Sequence, residues 1–130
     1  MNNEVGKVYV RPWGTYQTTT LEPGYQVKVL TVNPGGRLSL QRHFKRSEHW
    51  VVVAGCPTIS VGEEKNQYSR DQAIYIPVKS LHRIENLTDQ LCVLIEVQVG
   101  DYLGEDDIER VDDVYGRVDD AHAGERKGLE

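Results

Sequence analysis

Cysteine is scarce in this 130-residue chain, which contains two cysteines, one methionine and one phenylalanine. Cys56 and Cys92 do not have the spacing of a metal-binding or redox motif, and so sparse a pair fits a reducing compartment. No run approaches the roughly 20 apolar residues of a membrane span. The first residues are neither basic nor apolar, unlike a secretory signal. We therefore expect a cytoplasmic protein without a membrane partner.

The chain also lacks an excess of positive charge. Its 15 Lys and Arg residues are outnumbered by 20 Asp and Glu residues, which gives a net charge of −5. This balance argues against a nucleic-acid partner, because such proteins usually carry a basic face. A local basic pocket could still hold a small anion. The length is typical of one domain with a core of its own.

Short alternating segments dominate the chain. Apolar and polar residues alternate with the period of a β-strand in residues 25–32, 38–43 and 58–61, and sequences such as Asn33-Pro34-Gly35-Gly36 break the pattern as turns. Such segments recur at intervals of about 8–12 residues, which predicts an all-β sandwich or barrel.

The composition changes towards the C-terminus. Residues 104–111 begin with acidic side chains, which favour the start of a helix, and are expected to form one short C-terminal helix. Residues 118–130 have little to bury and are expected to form a flexible C-terminal tail. The predicted organisation is a single domain over residues 1–117 followed by this tail.

A mixed set of nitrogen and oxygen ligands stands in the middle of the chain. Gln41 and His43 are two residues apart on a predicted strand, so their side chains share one face. Glu48 opens the next strand, and His82 follows a turn. Two imidazoles, a carboxylate and an amide oxygen suit Zn²⁺, Mn²⁺, Fe²⁺, Co²⁺ or Ni²⁺. The alternative is a polar strand end with two hydrogen-bonded histidines.

The spacing of these residues resembles two known motifs. One resembles the first motif of the cupin superfamily, with glutamine for its first histidine, and consists of Gly35, Gln41, His43, Glu48 and Gly55. The other resembles the second cupin motif, with aspartate and lysine where glycines are usual, and consists of Asp71, Pro77, Lys79, His82 and Asn86. Together they imply a cupin double-stranded β-helix, a jelly-roll barrel.

Further segments are similar to one branch of that superfamily, the type II mannose-6-phosphate isomerase domain. They are Arg11-Pro12-Trp13-Gly14, residues 38–41, residues 48–53, Tyr75-Ile76-Pro77, residues 95–98 and residues 102–117. The resemblance covers about residues 8–117. In that family the domain is often the C-terminal part of a bifunctional enzyme fused to a mannose-1-phosphate guanylyltransferase.

The resemblance implies an activity, a cofactor and an assembly. The activity is the metal-dependent interconversion of mannose 6-phosphate and fructose 6-phosphate, which feeds GDP-mannose and polysaccharide biosynthesis. A divalent metal would be held by Gln41, His43, Glu48 and His82. Zinc is the first candidate, because the Gln-x-His arrangement resembles the zinc site of the type I isomerases; Co, Mn, Ni and Fe also fit. Cupins commonly pair, so a homodimer is implied as well.

Isomerisation of a sugar phosphate also needs a base with a pKa near neutrality and a cationic pocket for the phosphate. Glu96 and Gln98 share one strand face. If that face lines the pocket, Glu96 is the base or a neighbour of the metal; otherwise it lies on the solvated face of an edge strand. The candidate phosphate contacts are Lys45, Arg46 and Arg83, for which the alternative is a solvated surface charge.

Several residues depart from the family pattern or call for a structural interpretation. Phe44 and Lys45 stand where the family usually has histidines. The alternative function is therefore a cupin that binds a sugar phosphate without turnover or with another specificity; an Fe²⁺ dioxygenase is a third. His49 should point away from Glu48. We expect Trp13, Trp50 and Tyr75 to be core or packing residues, with stacking on a sugar as the alternative.

Overall fold

The computed structural model describes residues 2–112, and the described part consists of eleven β-strands joined by turns. The strands are β1 (Val8–Arg11), β2 (Gly14–Glu22), β3 (Tyr25–Val32), β4 (Leu40–Arg42), β5 (Ser47–Ala54), β6 (Thr58–Val61), β7 (Glu64–Gln67), β8 (Ala73–Ile76), β9 (His82–Glu85), β10 (Cys92–Val99) and β11 (Glu109–Asp112). The predicted domain end at residue 117 and the predicted tail over residues 118–130 lie outside the described residues.

The strands form two antiparallel sheets that face each other. The larger sheet has the order β1-β2-β3-β10-β5-β8 and the smaller has the order β11-β4-β9-β6-β7. Their inner faces enclose one apolar core, which includes Trp13, Tyr16, Leu30, Val32, Trp50, Val52, Ile59, Ile74, Ile76, Ile84 and Leu94. This architecture confirms the predicted all-β barrel. The described residues include no helix that could span a membrane.

The interior of the larger sheet is apolar at one end and polar at the other. On β3 the buried side chains change from Leu30 and Val32 to Gln26 and Lys28. The paired strand β10 changes in the same direction, and its register places Leu94 opposite Leu30 but Glu96 opposite Lys28. The barrel therefore has an apolar half that forms the core and a polar half that holds buried charges.

The prediction of a short helix over residues 104–111 is wrong. The described residues form no helix there; the segment makes a turn, with Asp107 N–H donating to the Gly104 carbonyl at 3.2 Å, and then enters β11. Strand β11 pairs with β4, and Arg42 and Glu109 form an ion pair at 2.6 Å across the two strands. An isolated helix this short is marginal in water, whereas the edge of β4 offers a ready hydrogen-bonding ladder.

Two residues keep a backbone conformation that favours glycine. Asp71 and Lys79 have φ angles of 78° and 72°. These are the two positions of the second motif where glycine is usual, so the turns retain their shape although the residue type has changed. A left-handed conformation costs a residue with a side chain about 1–2 kcal/mol. At Lys79 the turn is held by its backbone N–H, which donates to the His43 carbonyl at 2.8 Å.

The three aromatic residues expected to be core or packing residues lie in different places. Trp13 and Trp50 lie in the core, as predicted. Tyr75 lies outside the core and is a packing residue, with its side chain 52% exposed on the outer face of the edge strand β8. Its ring packs on His49, with the ring centroids 4.8 Å apart. His49 is exposed and points away from Glu48, as expected from the alternation of a strand.

Candidate metal centre

Three buried side chains converge at the polar end of the barrel. His43 lies just after β4, Glu48 is in β5 and His82 opens β9, and their ligand atoms all lie within 4.8 Å of one another. His43 Nε2 is 3.3 Å from Glu48 Oε2. The two sheets thus bring together three of the four side chains predicted as ligands in a cluster that could hold a metal ion.

Both histidines present the same nitrogen atom to the cluster. The Nδ1 atom of His43 lies 2.7 Å from the Asp107 carbonyl oxygen, and that of His82 lies 2.9 Å from the Ser80 carbonyl oxygen. A carbonyl oxygen only accepts, so each Nδ1 carries the hydrogen and donates it. Each Nε2 then keeps a lone pair directed at the cluster. Hydrogen bonds of this kind orient the histidine ligands of metal sites.

The protonation states also suit a metal. Burial, reinforced by the guanidinium of Arg46, lowers the pKa of His43 to about 3 despite the opposing carboxylate of Glu48. Burial likewise lowers the pKa of His82. Both imidazoles are therefore neutral near pH 7, which is the form that binds metal ions.

Glu48 supplies the negative charge of the cluster. Burial by itself would raise the pKa of its carboxyl, but Arg46, followed by His43 and His82, outweighs burial and holds the pKa well below its usual range. The Trp50 indole N–H donates to Oε1 at 2.8 Å, and Arg46 Nε donates to Oε2 at 2.8 Å. Glu48 is therefore an ionised, firmly oriented carboxylate.

A cavity adjoins the cluster, and Gln41, the fourth predicted ligand, is buried in its wall beside His43 and His82. Strand pairing places it opposite His82, and its amide nitrogen donates to Ser39 Oγ at 2.9 Å. The carbonyl oxygen is the atom of the amide that a metal ion prefers. Its role as a ligand stays a prediction.

The donor set fits a divalent metal. Two neutral imidazoles and one carboxylate form the set typical of catalytic zinc, in which three protein ligands leave a coordination position for water or substrate. The same donors also suit other first-row metals. The fold and this cluster therefore favour a metal, without selecting its identity.

Glu96 faces the cavity and not the solvent. It is buried on the inner face of β10, and Gln98 Nε2 donates to its Oε1 at 2.6 Å. Burial, then the neighbouring Glu48, raises the pKa of the Glu96 carboxyl well above its usual range, and the two carboxyls share a hydrogen bond. Because Glu48 is ionised, Glu96 is the partner that carries the proton. Of the two alternatives for this strand face, the structure supports the cavity wall.

The three candidate phosphate contacts occupy different places. Arg46 is buried in the cavity wall, and its Nη1 atom has no hydrogen-bond partner among the described residues. Arg83 also lines the cavity, but it is engaged in donating to the Leu38 carbonyl at 3.0 Å and to the Asp112 carbonyl at 3.1 Å. Lys45 is exposed outside the cavity wall, with its ammonium 4.8 Å from the Tyr102 ring centroid. Substrate binding by these residues stays a prediction.

Sequence reasoning missed other residues of the cavity wall, among them Trp13, Lys28 and Ser39. Trp13 was expected to be a core or packing residue, yet its indole N–H is buried without a hydrogen-bond partner among the described residues. Lys28 pairs with Glu105 at 2.9 Å inside the barrel. The alternation of residues along β3 could have identified Lys28 as an interior residue, because it places Lys28 on the same face as Leu30.

We expect the metal-free protein to lose stability as the pH falls below about 6.5. The unfolded chain binds a proton at His43 near pH 6.5 whereas the folded chain does so only near pH 3, and His82 shifts in the same direction. Glu96 acts in the opposite sense, because its pKa is raised in the folded state. A net difference of one proton makes the free energy of unfolding fall by about 1.4 kcal/mol per pH unit.

Urea unfolding in the presence of a chelator, at several values between pH 7 and pH 4.5, measures this slope. A free energy of unfolding that stays constant or rises on acidification would contradict the prediction that the two histidines outweigh Glu96.

Solved structures identify the fold. The capsular polysaccharide assembling protein CapF from Staphylococcus aureus matches with a TM-score of 0.67 and 26% identity over 82% of this chain and 34% of its own. The cupin domain of Cnp3 from Schizosaccharomyces pombe matches with a TM-score of 0.64 and 14% identity over 67% and 64% of the two chains. The fold is that of the cupin superfamily, the double-stranded β-helix expected from the two motifs.

Sequence relatives identify the family within that superfamily. The family model described as mannose-6-phosphate isomerase C-terminal matches residues 2–113, and the chain belongs to this family. The alginate biosynthesis protein AlgA of Pseudomonas aeruginosa is 49% identical over 108 residues, and the xanthan biosynthesis protein XanB of Xanthomonas campestris is 50% identical over 112 residues. These matches cover 83% and 86% of this chain.

The chain spans less than a quarter of the length of these relatives, since the matches cover 22% of AlgA and 24% of XanB. A mannose-1-phosphate guanylyltransferase of Salmonella montevideo is 46% identical over 107 residues, which are 82% of this chain and 23% of that protein. The relatives are thus biosynthetic proteins of which this chain matches one domain.

Proposed function

We propose that the chain is a metal-dependent isomerase that interconverts mannose 6-phosphate and fructose 6-phosphate and so feeds GDP-mannose and polysaccharide biosynthesis. One observation carries the proposal. A buried His43, Glu48 and His82 cluster, with both imidazoles neutral, lies in a chain that matches the isomerase family over residues 2–113. Catalysis of this reaction needs an electrophile, a proton carrier and a site for the phosphate.

The cluster would hold the electrophile. His43, Glu48 and His82 are the ligands, with Gln41 as a fourth, and zinc is the first candidate metal. When bound, such a metal polarises the carbonyl of the open-chain sugar as a Lewis acid. The protein contributes fixed ligand orientation, through the bonds from His43 to Asp107 and from His82 to Ser80.

Glu96 is the candidate proton carrier. Isomerisation moves one proton between C1 and C2 of the sugar, so the carrier must both accept and donate. A carboxyl whose pKa is raised towards neutrality can do both near pH 7. Burial and the contact with Glu48 shift the pKa of Glu96 upwards, in the direction that this role needs. The short hydrogen bond from Gln98 holds it against the cavity.

Arg46 is the best placed of the candidate phosphate contacts. A phosphate is bound best by an arginine fork, and the Nη1 atom of Arg46 is a buried donor of the cavity wall without a partner among the described residues. Arg83 and Lys45 would have to leave their present contacts or positions to reach a ligand in the cavity.

The second candidate function is a cupin that binds a sugar phosphate without turnover. It is suggested by Phe44 and Lys45, which stand where the family usually has histidines. The two side chains are exposed and are not part of the metal cluster. Their replacement therefore leaves the ligand set intact, which favours the enzyme over the binding module.

A coupled assay for fructose 6-phosphate distinguishes the two functions. Purified protein is treated with chelator and then supplied with mannose 6-phosphate and Zn²⁺, Co²⁺ or Mn²⁺ in turn. The isomerase gives turnover that requires metal and disappears again with chelator. Thermal stabilisation by mannose 6-phosphate without any product would instead show the binding module.

The homodimer and the cytoplasmic location stay predictions. The outer face of the larger sheet supports a homodimer. On this face the strands β3, β10, β5 and β8 present mostly apolar side chains and no Asp, Glu, Lys or Arg. They are Tyr25, Val27, Val29, Thr31, Val93, Ile95, Val97, Val99, His49, Val51, Val53, Ala73 and Tyr75. A contiguous, largely apolar outer face is a feature of interaction surfaces.

A further inference from the structure

Arg46 contacts two of the atoms that would bind the metal. Its Nε donates to Glu48 Oε2 at 2.8 Å, and its Nη2 donates to His43 Nε2 at 3.2 Å. The two acceptor atoms are 3.3 Å apart. The side chain is only 4% exposed, so it lies inside the barrel and not at its mouth. The guanidinium of Arg46 thus bridges two of the predicted ligand atoms.

The guanidinium and a metal ion cannot both use His43. Its Nδ1 carries the hydrogen that is donated to the Asp107 carbonyl, so Nε2 has a single lone pair. That lone pair either accepts the hydrogen bond from Arg46 or binds a metal. In addition, two cations this close repel each other strongly in a buried site. Metal binding therefore requires Arg46 to release at least His43.

Arg46 forms part of the wall of a cavity beside the cluster. The space in this cavity that can hold the centre of a water molecule is about 30 Å³, enough for one or two waters. Arg46 is a long, buried cation that an anionic ligand would attract, and its Nη1 has no hydrogen-bond partner among the described residues.

We propose that Arg46 is a displaceable counter-ion that couples metal binding to anion binding. In the metal-free protein it neutralises Glu48. A phosphate group draws its guanidinium away from Glu48 and His43, which releases both ligand atoms for the metal. Each ligand then raises the affinity of the protein for the other, because the two share one displacement. The proposal rests on the metal-binding part of the proposed function.

Titration with Co²⁺, followed by its visible absorption, tests this coupling without an activity assay. For the wild-type protein, excess mannose 6-phosphate is expected to tighten Co²⁺ binding about tenfold. For Arg46→Gln, Co²⁺ should bind about tenfold more tightly than to wild type without the anion, and mannose 6-phosphate should add less than about twofold. The metal-free variant should melt at a lower temperature, because Glu48 loses its buried counter-ion.

Arg42→Gln is the matched control. It removes the same charge from the neighbouring strand, where Arg42 pairs with Glu109 and contacts neither ligand atom. Its Co²⁺ affinity should stay within about twofold of wild type, with the anion effect intact. Equal or weaker Co²⁺ binding by Arg46→Gln, or an equal anion effect in both proteins, would overturn the proposal.

If Arg46→Gln does not fold, the titration of the wild-type protein still tests the proposal. A Co²⁺ affinity that does not change with mannose 6-phosphate would contradict the coupling. Absence of Co²⁺ binding to every protein would overturn both this proposal and the metal site. Anion-linked Co²⁺ binding without fructose 6-phosphate formation would sustain the coupling and reject the isomerase.

Discussion

Replacing His82 with alanine should eliminate metal-dependent turnover and metal binding together. The imidazole provides one of three buried ligand atoms, and Nε2 is the atom that the bond from Nδ1 to Ser80 directs at the cluster. A Lewis-acid metal is worth several kcal/mol in the transition state, so its loss is expected to lower kcat/KM by about a thousandfold or more. The measurements are the coupled assay and the metal content of the purified variant.

His49→Ala is the control for this experiment. His49 adjoins Glu48 in sequence, but it is exposed on the opposite face of β5 and packs on Tyr75. This variant should keep its metal content and its rate within about twofold, as substitutions at exposed positions usually have small effects. A His82→Ala protein that retains a full complement of metal would refute the ligand assignment.

Glu96→Gln should lower kcat by about 10² to 10⁴, the range that a general acid or base typically contributes. Glutamine has nearly the same shape, and its amide can donate to Glu48 as the protonated carboxyl does, but it cannot transfer a proton. Since Glu96 is the partner that is already protonated in the folded protein, the substitution removes no buried charge. Folding stability should therefore be retained, along with KM and the affinity for Co²⁺.

Glu85→Gln provides the opposite pattern. Glu85 is a buried carboxylate that pairs with Arg37 at 2.7 Å and with Lys65 at 3.3 Å, away from the metal cluster. Its neutral variant should lose stability and keep kcat. If Glu96→Gln instead behaved like Glu85→Gln, Glu96 would be a structural carboxyl and the proton carrier would have to be sought elsewhere in the cavity.

Much of the fold and of the candidate site could be predicted because strand alternation and motif spacing are local properties. Gln41 and His43 had to share a face, and their distance from Glu48 and His82 matched two motifs of one barrel. The same alternation placed Glu96 and Gln98 on one face of their strand but did not determine whether that face is buried. Burial of a face depends on how the second sheet packs against the strand, and the sequence of the strand alone does not specify this packing.

Other features could not be predicted because they depend on long-range contacts. Residues 104–111, with acidic side chains at positions 105–107, have a local preference for a helix, but the open edge of β4 made a strand the better solution. Arg46 was identified only as a cation near the site. Its bridging position depends on the rotamers of a long side chain and on the place where β5 and the turn after β4 meet.

The division of the barrel into an apolar half and a polar half affects how new specificities could evolve. Leu30, Val32 and Leu94 stabilise the sheet at one end, while Lys28 and Glu96 stand further along the same strands. Because distant sites contribute nearly independently to stability, substitutions at the polar end can change the bound sugar or the chemistry while the apolar end maintains the fold. One scaffold can thus be retained while its reaction diverges.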